Sequence, residues 1–273
     1  METIAIQGIQ GSFHHQVATD YFGSEIGIDE CMSFETLVES LLSGKSQKAV
    51  MAIENSIAGS IIPNYALIDR YNLQVKGEHY LNIHQNLMAL PGQNISDLTE
   101  VHSHPMALLQ CMDFLKGHPH LKLVEDKDTA ETARRICQNQ LTKIAAIASK
   151  TAAQMYGLEI LAPEIQTISN NMTRFVILAQ QTDLENTAVD KASLKFELDH
   201  KRGSLAALLN VMSDFGLNLT KIQSLPKIET PWKYAFFVDV TFENYAQYAK
   251  AKSVITLMAE HFKVLGEYKN QQP

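Results

Sequence analysis

Short apolar runs alternate with helix-spaced segments along the first two thirds of this 273-residue chain. "TIAIQG", "KAVMAIENS", "LKLVED", "KIAAIAS" and "LEILAP" read as strands; "SFHHQVATDYF", "SFETLVESLLSG", "TAETARRICQN" and "KTAAQMYG" read as helices. This alternation predicts α/β layers with mainly parallel strands. Ser12 is placed to cap the first helix. Ser33 caps the second, with Glu35 in its first turn and Gly44 at its end. "GSIIPNYALIDRY" reads as a helix that tolerates Pro63 only near its start, and "HPMALLQCMDFLKG" as one helix with Pro105 in its first turn. "LQVKGEHYLNIHQNLMAL" reads as extended up to the turn signal "PGQN". In open sheets of this kind ligands sit at the carboxyl ends of strands, which directs attention to the residues just after each one.

The texture changes at "QQTDLENTAVDKA", a polar stretch without apolar periodicity, and a domain boundary is expected there. The remainder reads as strand "SLKFELDH", helix "GSLAALLNVMSDFG", strands "LNLTKIQSLPK" and "WKYAFFVDVTF", helix "NYAQYAKAKSVITLMAEH" and strand "FKVLGEYK". The order βαββαβ is the ferredoxin-like split unit. Its two helices cover one sheet face. The other face, carrying Lys195 and Glu197, is expected to meet solvent or a partner.

Net charge is −7 and no basic face is visible, so nucleic acid is not an expected partner. An anionic substrate then needs local Arg, Lys or backbone N–H donors in a cleft. No apolar run is long enough to span a membrane, and "METIAIQG" lacks the regions of a signal peptide. Cys31, Cys111 and Cys137 are scattered and odd in number, which fits reduced thiols of a cytoplasmic protein.

Four stretches carry candidate chemistry. In "AIENSIAGS" a strand ending at Ile53 delivers Glu54, Asn55 and Ser56 to a helix entry with Gly59 and Ser60; this suits an anion, or equally a capped turn. In "VHSHPMALLQC" Ser103 and Gln110 are two helical turns apart, so both face one cleft, or Ser103 only caps the helix. His102 and His104 lack the further ligands a zinc site uses. "GIQGSF" is a tight turn or an anion loop, without the remaining glycine of a dinucleotide site. In "ISNNMTRFVIL" the Arg174 fork matches a carboxylate and Thr173 adds a hydroxyl, or Arg174 makes a structural ion pair. Adjacent strand residues point to opposite faces, so a shared target requires irregular backbone here.

In register, these stretches resemble prephenate dehydratase over nearly the whole chain. The resemblance rests on Gly-x-x-Gly-Ser-Phe at the start, Glu54-Asn55-Ser56 with Gly59-Ser60, Ser103-His104-Pro105 with Gln110-Cys111, and Asn171-x-Thr173-Arg174-Phe175. The tail is similar to an ACT regulatory domain. The resemblance implies a bilobal, periplasmic-binding-protein-like catalytic domain over 1–182 and an ACT domain over 193–269. It implies loss of carbon dioxide and water from prephenate to give phenylpyruvate, with no metal, nicotinamide or other cofactor. Thr173, Arg174, Glu54 and Asn55 are the implied catalytic set: Thr173 eases off the hydroxyl with Glu54 as a possible relay, and Arg174 anchors a carboxylate. Ser12, Ser56, Ser60, Ser103, Gln110, Asn171 and Phe175 are the implied substrate contacts. Phenylalanine feedback is implied at Gly203, Ser204, Leu205, Asn218, Leu219, Gln223 and Ser224. There the family's Glu-Ser-Arg-Pro stretch reads Gln223-Ser224-Leu225-Pro226. A homodimer or homotetramer through ACT domains is implied, and a monofunctional chain, since the resemblance begins at Thr3. The rival readings are arogenate dehydratase and a non-catalytic amino-acid sensor. The intact Thr173-Arg174-Phe175 argues against the sensor.

Overall fold

Side-chain caps start the early helices where the sequence offers them. The computed structural model describes residues 2–180, 189–199, 201–227 and 233–273. It opens with β1 (Thr3–Gln7), α1 (Phe13–Phe22), β2 (Gly27–Cys31), α2 (Phe34–Leu42) and β3 (Lys48–Asn55). Ser12 Oγ accepts the His15 N–H, and Ser33 and Thr36 form a reciprocal capping box. β3 runs to Asn55, beyond the expected end at Ile53, because the Ser56 N–H donates to Met172 O and extends the pairing. β4 (Gly59–Ser60) pairs with β3, so the helix α3 (Ile62–Arg70) starts later than "GSIIP" suggested, with Pro63 in its first turn.

The chain continues through β5 (Gln74–Asn82), β6 (Asn86–Ala89), β7 (Glu100–Ser103), α4 (Pro105–Gln110), α5 (Met112–Lys116), β8 (Lys122–Glu125), α6 (Thr129–Gln138), β9 (Ile144–Ala148), α7 (Lys150–Tyr156), β10 (Glu159–Ala162) and β11 (Met172–Ala179). The single helix expected after His104 is two. The Gln110 carbonyl is taken by the Thr167 N–H at 2.8 Å, and Cys111 leaves helical geometry between them. The cap of α4 is His104, not Ser103, which is still in β7.

The first sheet is ordered β2-β1-β3-β11-β5 and the second β10-β6-β9-β7-β8. β1 is parallel to β2 and β3, and β7 to β8 and β9, as alternation predicts. β6 departs from this, running antiparallel to β9 and β10. It is entered directly from the end of β5, with no crossover helix to restore a parallel direction. Along β6 and β9, alternate residues serve two cores. Leu87, Ala145 and Ile147 join Val101 and Leu108, while Met88, Ala146 and Ala148 join Ile9 and Ile136. Each buried Leu or Ile contributes about 1.5–3 kcal/mol. The chain passes between these sheets twice, and the passages are zipped together. Ile83 N–H donates to Asn171 O at 2.7 Å, and Ile165 N–H to Gln85 O at 2.8 Å.

By contacts the chain forms two units: Met1–Gly59 with Leu81–Phe175, and Ser60–Tyr80 with Val176–Pro273. The second contains β12 (Lys191–Glu197), α8 (Ser204–Asp214), β13 (Asn218–Pro226), β14 (Tyr234–Thr241), α9 (Tyr245–Met258) and β15 (Glu260–Tyr268). The sheet order is β13-β14-β12-β15, all neighbours antiparallel, which is the expected βαββαβ layout. The expected linker at 180–192 falls mostly on 181–188, outside the described residues; β12 takes up Lys191 and Ala192. Leu194, Phe196, Leu208, Val238 and Ile255 pack beneath the helices.

The opposite face of this sheet, expected to meet solvent or a partner, is instead covered from within the same chain. Lys191, Lys195 and Glu197 are all buried. The inserted α3 and β5 residues cover them. Lys191 Nζ donates to Glu78 at 2.9 Å, Lys195 Nζ lies 3.2 Å from Asp69, and the Tyr65 ring meets Phe237 edge-on at 5.4 Å. Gly266 is needed for this approach, since a Cβ there would stand 2.1 Å from Val75 O.

Candidate active site

Strand ends of the first sheet and loops of the second converge on a cavity of about 240 Å³ in the first unit. Gln7, Ala52, Asn55, Thr173 and Phe175 come from the first sheet, and Ser12 and His14 from the start of α1. Ile83, Gln85, His104, Gln110, Lys127, Asp128 and Thr129 come from the second sheet and the passages.

Asn55 organises the first side. Its Nδ2 donates to Asn171 Oδ1 at 2.7 Å and to Thr173 Oγ1 at 2.9 Å. Its Oδ1 accepts the Ile57 and Ala58 N–H groups, both at 2.9 Å. Ser56 staples the same junction, its Oγ accepting the Met172 N–H at 3.0 Å. Ser56 therefore positions this wall instead of lining the cavity. Since Thr173 Oγ1 accepts from Asn55, its own proton is free to be donated elsewhere.

β11 is regular from Met172, so Thr173 and Phe175 face the cavity while Arg174 points to the other side of the sheet. The expectation that Thr173 and Arg174 share one target is corrected on that ground: the irregular backbone it needs is absent. Arg174 is buried and is not among the lining residues. The cation that does line the cavity, among the described residues, is Lys127. Glu54 does not line it either; the lining carboxyl is Asp128.

Ser103 is also displaced from its expected role. It is fully buried and donates to Ile147 O at 2.6 Å, tying β7 to β9. Ser60 belongs to the second unit, where Lys221 Nζ donates to its Oγ at 2.6 Å. Gln110 does reach the cavity, held by Gln85 Nε2 at 3.3 Å. Gln110 also lines an adjoining, mostly apolar cavity of about 400 Å³ with Ile57, Leu109, Ile168 and Asn171. Two buried amide atoms at these cavities have no hydrogen-bond partner among the described residues: Gln85 Oε1 and Asn171 Nδ2. Unmet groups of this kind cost about 1–3 kcal/mol each and suit a ligand.

The glycine turn brings its own geometry. Gly11 has φ +90°, and a Cβ there would stand 3.2 Å from Ala152 Cα, so the loop presses on α7. Ser149 Oγ and Tyr156 OH fasten it by donating to Gly11 O and Gln10 O. His14 accepts the Ala52 N–H on Nε2 at 3.4 Å and meets Phe175 edge-on at 5.0 Å. Burial lowers its pKa to about 3, so the ring is neutral at physiological pH. His102 bonds Glu100 and Arg135, and the described residues hold no cluster of three or more metal-type ligands. Burial pushes the thiols of Cys31 and Cys111 up to about 11 and about 12. Among the described residues no helix is long and apolar enough to cross a membrane.

The sequence reading did not name Lys127, Asp128, His14 or Gln85, and it weighed His104 only as a metal ligand and as part of a motif. The one available signal was the strand-end rule, which points at "EDKDT" directly after β8.

A family model for prephenate dehydratase matches residues 4–183. The chain is 36% identical over 276 residues to arogenate dehydratase/prephenate dehydratase 2, chloroplastic, of Arabidopsis thaliana, covering 97% of this chain and 72% of the relative. A crystal structure of prephenate dehydratase from Arthrobacter aurescens in complex with L-Phe superposes with TM-score 0.88 at 26% identity, covering 99% of this chain and 91% of that one. GqqA, described as a novel type of quorum quenching acylase, superposes with TM-score 0.89 at 26% identity, covering 99% and 98%. The class that follows is a dehydratase, a carbon–oxygen lyase with a mixed α/β fold. The chain belongs to the prephenate dehydratase family.

Proposed function

We propose that this chain converts prephenate to phenylpyruvate with loss of carbon dioxide and water, in the formation of phenylalanine. The observation that carries this reading is the Asn55–Thr173 pair at the wall of a small cavity of mixed polar and apolar lining. Prephenate is a dianion with a ring hydroxyl to expel. Lys127 takes a carboxylate as a charge-assisted donor. Thr173 donates to the hydroxyl, with Asn55 occupying its acceptor side. Gln110 and Ser12 orient the ring and arm, and Phe175 with His14, set edge to face, supplies an aromatic corner of the wall. The electrons that aromatise the ring come from the departing carboxylate. The test is phenylpyruvate formation from prephenate by the purified chain; no product overturns the reading. The Arabidopsis relative's name supports arogenate as a second substrate, and kcat/KM for the two compounds ranks them. An acylase reading needs a nucleophile beside a base, whereas the Thr173 hydroxyl is partnered by the Asn55 amide.

Residues 193–269 of the second unit are proposed as an ACT domain that binds phenylalanine, supported by their βαββαβ order and by the L-Phe complex of the Arthrobacter protein. Gly203 caps α8 in a left-handed conformation, followed by Ser204 and Leu205. Asn218, Leu219, Gln223 and Ser224 lie on β13, an edge strand. Edge strands offer unpaired backbone to a second copy, which supports a homodimer or homotetramer. Calorimetric titration with phenylalanine and sedimentation with and without it test both points; no heat of binding removes the effector. Free thiols at all three cysteines support a cytoplasmic location, tested by cell fractionation.

A further inference from the structure

The elimination needs a proton at the departing oxygen, because hydroxide is a poor leaving group. The hydroxyl of Thr173 is a weak acid, so it orients that oxygen better than it protonates it. Glu54, the acid nearest in sequence to Asn55, does not line the cavity. Asp128 does, and it is the carboxyl among the described lining residues. Its place is set from two sides. Oδ1 accepts the Glu131 N–H at 2.9 Å as the cap of α6. Oδ2 lies against Gly8, where a Cβ would stand 3.0 Å away. Gly8 has no side chain, which gives the carboxyl room at the end of β1, and its φ of +89° is one that glycine adopts without strain.

Resting on the dehydratase reading above, we infer that Asp128 is the catalytic acid that delivers the proton to the leaving hydroxyl. The carboxyl O–H bond breaks as the ring C–O bond breaks, and water departs. The bond between the ring and its carboxylate breaks in the same event. Its electron pair enters the ring and carbon dioxide leaves. Prephenate brings two negative charges and the product keeps one; carbon dioxide and water leave neutral, so the other charge passes to Asp128. Asp128 is left as an anion and regains its proton from water.

The surroundings favour the protonated form more than an ordinary surface Asp does. Burial raises the Asp128 pKa, the N–H groups of Glu131 and Ala130 pull it down, the Glu131 charge raises it and His104 lowers it. Lys127 precedes it in the chain, His14 faces the same cavity from α1, and Tyr156 on α7 senses its charge. An anionic Asp128 has a different use, accepting the ammonium group of an amino-acid substrate. The two uses separate experimentally.

Asp128→Asn and Asp128→Ser both keep a capping acceptor for α6, so the full chain is expected to fold with little change in melting temperature. Steady-state kinetics over pH, with prephenate and with arogenate, then read the role. Expected is a kcat loss of about 100-fold or more on every substrate the wild type turns over, with KM moving by about threefold or less. The fall of wild-type kcat at high pH, where the acid is spent, disappears in both variants, and Asp128→Glu recovers part of the rate. A kcat of Asp128→Asn within about threefold of wild type overturns the assignment. So does a loss confined to the ammonium-bearing substrate, or full activity in Asp128→Ser, which reduces Asp128 to a cap. Wild type inert toward both compounds sinks the dehydratase reading itself, a result distinct from an active wild type with unaffected variants.

Discussion

Asn55 donates one amide group to both Asn171 Oδ1, at 2.7 Å, and Thr173 Oγ1, at 2.9 Å, while its carbonyl oxygen holds the Ile57 and Ala58 N–H groups. One side chain thereby orders both strand ends at the cavity. Asn55→Asp keeps the shape and removes the donor, so Thr173 turns its own proton inward. The expected outcome is a kcat loss of about 100-fold with a smaller change in KM, matched by Thr173→Val. Steady-state kinetics on both variants check this, and wild-type kcat in either contradicts it.

Lys127 and Arg174 compete for the role of carboxylate anchor. Lys127 lines the cavity and Arg174 is buried on the other side of β11. Lys127→Met is expected to raise KM by about 10–100-fold, the equivalent of one hydrogen bond to a charged group. Arg174→Met is expected to lower the melting temperature first. Kinetics beside thermal melts decide; a larger KM rise in a normally folded Arg174→Met reverses the assignment.

His14 gives the fold a pH dependence of predictable sign. Its folded pKa, about 3, lies below the ordinary value of 6.5. The unfolded chain therefore binds more protons between these values. The contribution is complete above pH 6.5 and is lost as pH falls through the window to 3. The slope from this one group is at most about 1.4 kcal/mol per pH unit. Urea melts of wild type and His14→Gln across that range are expected to show a shallower acid loss in the variant; parallel curves contradict it.

Lys191 and Glu78 form an ion pair with side chains 1% and 0% exposed. Removing one partner strands the other charge, so Glu78→Gln is expected to cost about 3–5 kcal/mol. The double change Lys191→Met with Glu78→Leu is expected to recover most of it. Chemical denaturation of wild type and both variants measures the recovery, and a double variant no more stable than Glu78→Gln rules it out.

Asn55, Thr173, Phe175, Gln110 and Ser12 were legible in the sequence because short local motifs carry them, and all five reach the cavity. Ser103 and Arg174 sit in equally recognisable motifs, yet strand pairing turned them away. A residue's sheet face depends on register, which a distant strand sets. Lys127 and Asp128 lie in a connection, where hydrophobic periodicity is silent. The ferredoxin-like order was readable from period alone. Its buried charged face was not, because the cover comes from residues 60–80, remote in sequence.

That inserted stretch makes a simple truncation hazardous. A stop codon after Gln180 removes Lys191 from Glu78, Phe237 from Tyr65 and the Gly266 backbone from Val75. The shortened chain would carry an orphaned carboxylate and a bare aromatic surface into solution. Anyone building a minimal enzyme from this gene must resurface residues 60–80 or keep the tail.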